Sequence, residues 1–289
     1  MGFWDQLFGG KKASDPTNSQ TALKPEQLFQ TADIADILAR YRKDTVLLRP
    51  QRAPEPVSPE VSKMGGIPNG NGFNAHPNCD ACGTPLNFVV QLYKTGFPQH
   101  YFPDGKNLFQ VFRCPSDKCP AAFSAPYHSD RKLFIYYFYD KPGQCQTFDL
   151  PETDRSELED LVPDCELHPQ KANDYPYYED FDNVINELEQ KHGEQFSEAF
   201  MDRYSAIHKT KSGGYPSFTQ NSHYPACSCG KPKDFFFQLS SDDTTDGPKS
   251  ANGDDWSPHG IMIGDVGNIY FYVCRDCGAS SIETYWDCY

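Results

Sequence analysis

CGTPLNFVVQL at residues 82–92 and CGKPKDFFFQL at residues 229–239 are one string written twice. Six of the eleven positions are identical: Cys, Gly, Pro, Phe, Gln and Leu. Each copy begins at the second cysteine of a close pair, Cys79/Cys82 and Cys227/Cys229. Each is followed by another pair, Cys114/Cys119 and Cys274/Cys277. The register extends outward. Gly-Gly-x-Pro stands at 65–68 and 213–216, with Gly66 16 positions ahead of Cys82 and Gly214 15 ahead of Cys229. Asn107 and Asn268 each open the run that delivers the third cysteine.

The runs around these cysteines are rich in aromatic and β-branched residues and bounded by turn formers, which predicts strands. They are 86–93, 107–114 and 133–139 in the first copy, and 234–240, 268–274 and 281–287 in the second. Between the copies, 178–190 and 193–204 carry apolar residues at helical spacing, broken at His192–Gly193. The expected fold is α+β: an internally duplicated β-rich repeat with mixed or antiparallel sheets and an acidic helical connector. The expected segments are 1–60, an N-terminal segment whose helix lies at 25–43; 61–148, the first repeat; 149–207, the connector; and 208–289, the second repeat. Phe3, Trp4, Leu7 and Phe8 form an apolar start followed by a polar linker at 9–23.

Paired cysteines in a chain without a secretory signal or an apolar run near the ~18 residues of a membrane span point to metal more than to disulfides. The expected location is therefore cytoplasmic, with no membrane partner. The first set is C-x2-C, 31 residues, C-x4-C; the second is C-x-C, 44 residues, C-x2-C. Two close pairs supply four thiolates for a tetrahedral Zn2+, and four sulfur ligands leave no position open for water. The expectation is one or two structural zinc ions on Cys79, Cys82, Cys114 and Cys119 and on Cys227, Cys229, Cys274 and Cys277. Buried, unliganded thiols are the plain alternative. His76 and His223 stand near the knuckles and could replace a cysteine, though core or surface histidines serve as well. Cys145, Cys165 and Cys288 read as ordinary thiols.

The formal net charge is -14, and residues 149–202 account for it with 17 Asp/Glu against 3 Lys/Arg. Such a balance excludes direct nucleic-acid binding, which needs cationic neutralisation of phosphate. It suits a basic protein partner, or simply keeps the chain soluble. Tyr177, Tyr178, Glu179, Asp180 and Asp182 mix tyrosines with carboxylates, a composition suited to an interface. Asp254, Asp255 and Trp256 form a second candidate patch on 240–258, which reads as a long exposed acidic loop containing Asp242 and Asp243. No phosphate loop, nucleophile elbow, zinc-protease helix or dinucleotide fingerprint occurs. The expectation is a binding protein and not an enzyme.

GGIP…CDACGTPLNFVVQL…LFQVFRC and GGYP…CSCGKPKDFFFQL…GDVGNIYFYVC resemble the bacterial YwqG-like family of unknown function. Its marks here are the Gly-Gly-x-Pro openings, the Gln-containing strands and Gly264, Asp265, Gly267, Asn268 and Tyr270. The knuckles also resemble those of programmed-cell-death-protein-2-like proteins, which are chaperones of a ribosomal protein. The similarity covers about 61–139 and 205–289. It implies the duplicated β-rich fold and no established reaction. YwqG-like members occur among immunity proteins of bacterial toxin systems, including contact-delivered (type VI) nuclease toxins. By that association the expected function is to bind and occlude a cognate toxin with a basic active site; the alternative is a zinc-containing chaperone or adaptor for a basic, ribosomal-type protein.

Overall fold

The structure, a computed structural model, describes residues 25–70, 77–97, 102–115, 119, 134–140, 161–244 and 257–289. The apolar N-terminus, Cys145, His76 and the patch of Asp254, Asp255 and Trp256 lie outside them. The chain divides into residues 1–40 and 41–289. In the first unit, helix α1 spans Pro25–Leu28 and α2 begins at Ala32 and ends on Tyr41 of the second unit. Ile34, Ile37, Leu38 and Tyr41 are its shielded positions, as the sequence spacing requires.

The second unit holds two six-stranded sheets, antiparallel throughout. Its strands are β1 (Lys43–Leu47), β2 (Pro50–Arg52), β3 (Lys63–Met64), β4 (Asn87–Tyr93), β5 (Leu108–Arg113) and β6 (Phe134–Tyr139). They continue as β7 (Cys165–Leu167), β8 (Gln170–Asp174), β9 (Lys211–Gly213), β10 (Asp234–Ser240), β11 (Asn268–Val273) and β12 (Glu283–Asp287). One sheet has the order β2-β7-β3-β4-β5-β6, the other β12-β11-β10-β9-β1-β8. All six strands expected from the sequence are present. Four more come from the segments expected to hold no strands. The N-terminal segment supplies β1 and β2, and the acidic connector supplies β7 and β8. β1 pairs with β8 in one sheet, and β2 with β7 in the other. A two-stranded ribbon therefore runs from sheet to sheet. It bends at Leu48–Arg49, where Arg49 takes φ 46° and the His168 N–H donates to Leu48 O at 2.8 Å. Helices α3 (Asp182–His192) and α4 (Glu194–Arg203) follow the ribbon, with the chain turning at Gly193 as expected.

The sheets face each other across one core. Val89, Val90, Phe109 and Val111 from one sheet join Phe236, Phe237, Phe271 and Val273 from the other. The Phe109 ring meets those of Phe236 and Phe271 at 5.1 and 5.5 Å, edge to face. Truncating such a ring costs about 3–5 kcal/mol. Every residue of β4 and of β11 is buried, so both faces of these strands are covered. That is why their sequences read as continuous apolar runs rather than as alternations.

The repeated string occupies matching places in the two sheets. A bulge falls between Phe88 and Val90 in one copy and between Phe235 and Phe237 in the other. Gln91 Oε1 accepts from Asn69 N–H and Gln238 Oε1 from Ser217 N–H, both at 2.9 Å. Their amide groups donate to Val61 O and Lys209 O. These glutamines satisfy loop backbone, which explains their place inside otherwise apolar strands. Two fully buried lysines answer one another as well. Lys63 pairs with Asp164 at 2.5 Å and Lys211 with Asp174 at 2.8 Å. Each carboxylate presses on the second glycine of the Gly-Gly-x-Pro that follows its lysine. A Cβ on Gly66 would lie 2.1 Å from Asp164 Oδ1, and one on Gly214 2.2 Å from Asp174 Oδ2. Both glycines also have positive φ, so only glycine fits.

Candidate metal centres

The two cysteine sets converge into two tetrads. Cys79, Cys82, Cys114 and Cys119 bring four sulfurs within 4.8 Å of one another, and Cys227, Cys229, Cys274 and Cys277 do the same. The local chain explains this. In the first knuckle, the bridge Asn78–Pro85 closes a turn in which Cys79 N–H donates to Thr84 O at 2.8 Å. In the second, Ala226 bridges Pro232 and Cys227 N–H donates to Lys231 O at 2.8 Å. Gly83 and Gly230 follow the second cysteine with positive φ, which tightens each turn. The proline then leads into β4 or β10. Cys114 and Cys274 arrive directly after β5 and β11, the strands paired with β4 and β10.

The sulfur spacing fits a tetrahedral ion. Cys79 and Cys119 lie 3.7 Å apart, Cys82 and Cys114 3.6 Å, and Cys229 and Cys274 3.7 Å. A metal–sulfur distance of about 2.3 Å gives a tetrahedron edge of about 3.8 Å. The cysteines of both tetrads are free thiols. Each knuckle already favours one thiolate. The Thr84 hydroxyl and N–H bring Cys82 down to about 6, and the Cys229 N–H does the same for Cys227. Other members are pushed up: Cys79 by burial, and Cys277 to about 12 by Cys229 and Cys227 beside it. Four thiols so placed cannot all ionise without a cation between them. The donor sets can hold a soft or borderline metal ion with no open coordination position.

The surroundings of the tetrads differ. Cys79, Cys114 and Cys119 belong to a small apolar cluster with Leu86, Phe88 and Phe112. Cys82 is the exposed member of the first tetrad, whereas the second has two, Cys229 and Cys277. His223 joins neither set; its ring stacks on Tyr285 at 4.2 Å. Cys165 is buried, and burial pushes its thiol up to about 12, as an inert core thiol requires.

The acidic candidates divide. Tyr177 is buried, with its hydroxyl donating to Gln220 O and its ring against Phe218, so it is not available to a partner. Tyr178 is 47% exposed, and Asp180 and Asp182 are exposed. Glu179 accepts from Ser222 N–H at 3.0 Å, and Asp180 accepts from the Tyr224 hydroxyl. Asp243, expected on an exposed loop, is buried. It accepts from Thr210 N–H and meets His259 Nε2 at 3.0 Å. Ser257 Oγ lies 2.7 Å from that same nitrogen, while Nδ1 accepts from Ile261 N–H. A nucleophile and its orienting acid need opposite nitrogens of the histidine, so this trio pins a loop and does not form a catalytic triad.

Sequence reasoning missed the buried pairs Lys63–Asp164 and Lys211–Asp174. The signal was present in Lys63 and Lys211, each two residues before the first glycine of Gly-Gly-x-Pro. It also missed a cleft of about 330 Å³ lined by Tyr41, Lys43, Tyr215, Tyr224, Asp234 and Phe235. There the Lys43 ammonium sits 3.9 Å over the Tyr215 ring. Among the described residues, no helix is long and apolar enough to cross a membrane.

No curated protein matches this sequence. Residues 62–280 match a family described as Domain of unknown function (DUF1963), and the match spans both tetrads and both Gly-Gly-x-Pro turns. The chain therefore belongs to the family Domain of unknown function (DUF1963).

Proposed function

We propose that this chain is an immunity-type inhibitor that acts by binding, without chemistry of its own, in the cytoplasm. Its partner is a basic protein, a cognate bacterial toxin whose phosphate-holding nuclease site it occludes. The observation that carries this reading is the face presented by α3 and α4. Ile185, Leu188, Phe196 and Phe200 are buried, while Asp182, Glu187, Glu189, Glu194, Glu198 and Asp202 are exposed, with Lys191 and Arg203 the exposed cations of these helices. The same connector turns Asp164 and Asp174 inward to buried lysines, so its outward acidity is what remains for a partner. Such a face accelerates association with a basic surface and discriminates against acidic ones. The YwqG-like resemblance supports the immunity role by association.

On this reading the tetrads are structural Zn2+ sites whose binding energy holds the knuckles to the sheets. The matched bulges, glutamines and glycine turns support a duplicated ancestry with the two sheets related by a pseudo-twofold.

The test is capture of partners from the native cell with tagged full-length chain, followed by association kinetics. Asp182, Glu187 and Glu189 carry the charge reversal, since Glu179 and Asp180 already hold Ser222 and Tyr224. A basic toxin should be recovered, and lysine at those three positions should slow its association about tenfold or more at low salt. Recovery of a ribosomal protein would move the function to the chaperone or adaptor class. A toxin bound equally fast by the reversed variant would remove these helices from the interface.

A further inference from the structure

The two tetrads are built alike but shielded differently. Three sulfurs of the first belong to residues at most 3% exposed, packed with Leu86, Phe88 and Phe112. In the second, Cys227 and Cys274 are buried, but among the described residues no apolar cluster includes them. Cys229 and Cys277 are exposed, and the nearby Lys231–Asp276 pair lies at the surface. A chelator or oxidant reaches two cysteines of the second set directly, Cys229 and Cys277, against one of the first, Cys82, whose other three sulfurs open only with local unfolding.

The second knuckle also carries a wall of the Tyr215 cleft. Tyr224 precedes it, and Lys233, Asp234 and Phe235 follow it. The bridge Ala226–Pro232 and the Lys233 N–H to Pro225 O bond at 3.1 Å close the loop between them. From that loop Tyr224 donates to Asp180, at the head of the acidic helices.

We propose that the second tetrad is an exchangeable, oxidant-sensitive metal site whose occupancy holds the Tyr224–Phe235 wall in place, while the first tetrad keeps its metal. This rests on the zinc reading above. The oxidant class is a hydroperoxide. The Cys229 thiolate attacks the terminal oxygen, the O–O bond breaks, and a sulfenic acid and an alcohol (water, from hydrogen peroxide) form. Cys274 Sγ, 3.7 Å away, then displaces hydroxide to close an S–S bond. Two thiolates lose two electrons, the peroxide gains them, and two protons complete the alcohol and water. Zn2+ leaves because two of its lone-pair donors are consumed.

The experiment uses the full chain loaded with two zinc ions, hydrogen peroxide as oxidant and a chromophoric chelator as reporter. One zinc per chain should leave at least about tenfold faster than the other, as direct access predicts against access through local opening. Cys277→Ser should abolish the fast phase and leave the slow one. In wild type, alkylation mapped by mass spectrometry should mark Cys229 and Cys277 before Cys79, Cys114 and Cys119, and that readout does not depend on a variant folding. Hydrogen exchange should rise across 224–235, and not across 79–93, once the fast zinc has gone. Two ions leaving together, a fast phase lost in Cys82→Ser instead, or unchanged exchange at 224–235 would overturn the proposal alone. A chain that takes up no zinc would overturn the zinc reading with it.

Discussion

Asp174→Ala should destabilise the protein far more than Asp164→Ala, although each removes the acid of a buried lysine pair. Asp174 is fully buried and is a three-donor hub. It accepts from Lys211 Nζ at 2.8 Å, Ile207 N–H at 2.9 Å and Tyr215 N–H at 2.8 Å. Burial already pushes the Lys211 ammonium's pKa down, and Asp174 opposes that shift. Removing the acid leaves an uncompensated buried charge, about 3–5 kcal/mol, and two orphaned N–H groups. Total stability is about 5–15 kcal/mol, so this variant approaches the folding threshold. Asp164 is different. Its side chain is 22% exposed, and Lys63 keeps a second acceptor in Val57 O at 2.8 Å. Its loss should cost about 1–2 kcal/mol. Urea denaturation of the metal-loaded chain, followed by tryptophan fluorescence, measures both. The two variants should differ by at least about 2 kcal/mol, or several degrees in Tm. Lys211→Met placed on Asp174→Ala should recover part of the loss, because it removes the orphaned charge. Equal costs, or a double variant worse than the single by the full Lys211→Met cost, would refute the account of a buried charge held by one hub.

Gly267→Ala places a Cβ 1.9 Å from Asp287 O, where β11 meets β12, and should cost about 3 kcal/mol or more in the same assay. His208 gives a pH signature. Burial lowers its pKa below the ordinary 6.5, and Nδ1 accepts from the Asn268 amide at 3.2 Å. The folded chain then holds fewer protons than the unfolded one, so this contribution is intact above about 6.5 and declines as pH falls through the lowered pKa. In zinc-saturated buffer, His208→Gln should therefore lose less stability than wild type between about pH 7.5 and 6; parallel curves would exclude His208 as the source.

The six long strands and both tetrads were legible because their signals are local. A fully buried strand must be apolar along its length, and a knuckle needs two cysteines within a turn. The ribbon strands were not. KDTVL, PQR, CEL and QKAND are short and polar, and what makes them strands is pairing across more than 100 residues of chain. Tyr177 and Asp243 were misplaced for a related reason. A tyrosine beside carboxylates and an aspartate in an acidic loop look solvated until Gln220, Thr210 and His259 arrive from elsewhere in the chain. Charge pattern reports composition along the sequence, and the inward turn of Asp164 and Asp174 shows how far that can diverge from the surface.

The ribbon also governs how the chain can be assembled. The sheet that holds β3 to β6 needs β7 to back β3, and residues 165–167 emerge from the ribosome only after those strands. The other sheet waits for β9–β12, yet one of its central strands, β1, is among the earliest described residues made. Neither sheet can be finished as an autonomous module during synthesis, and folding is expected to be late, slow and dependent on long-range closure. A gene split between the repeats would therefore yield two incomplete fragments that need each other, joined in trans by β1–β8 and β2–β7 rather than by a linker.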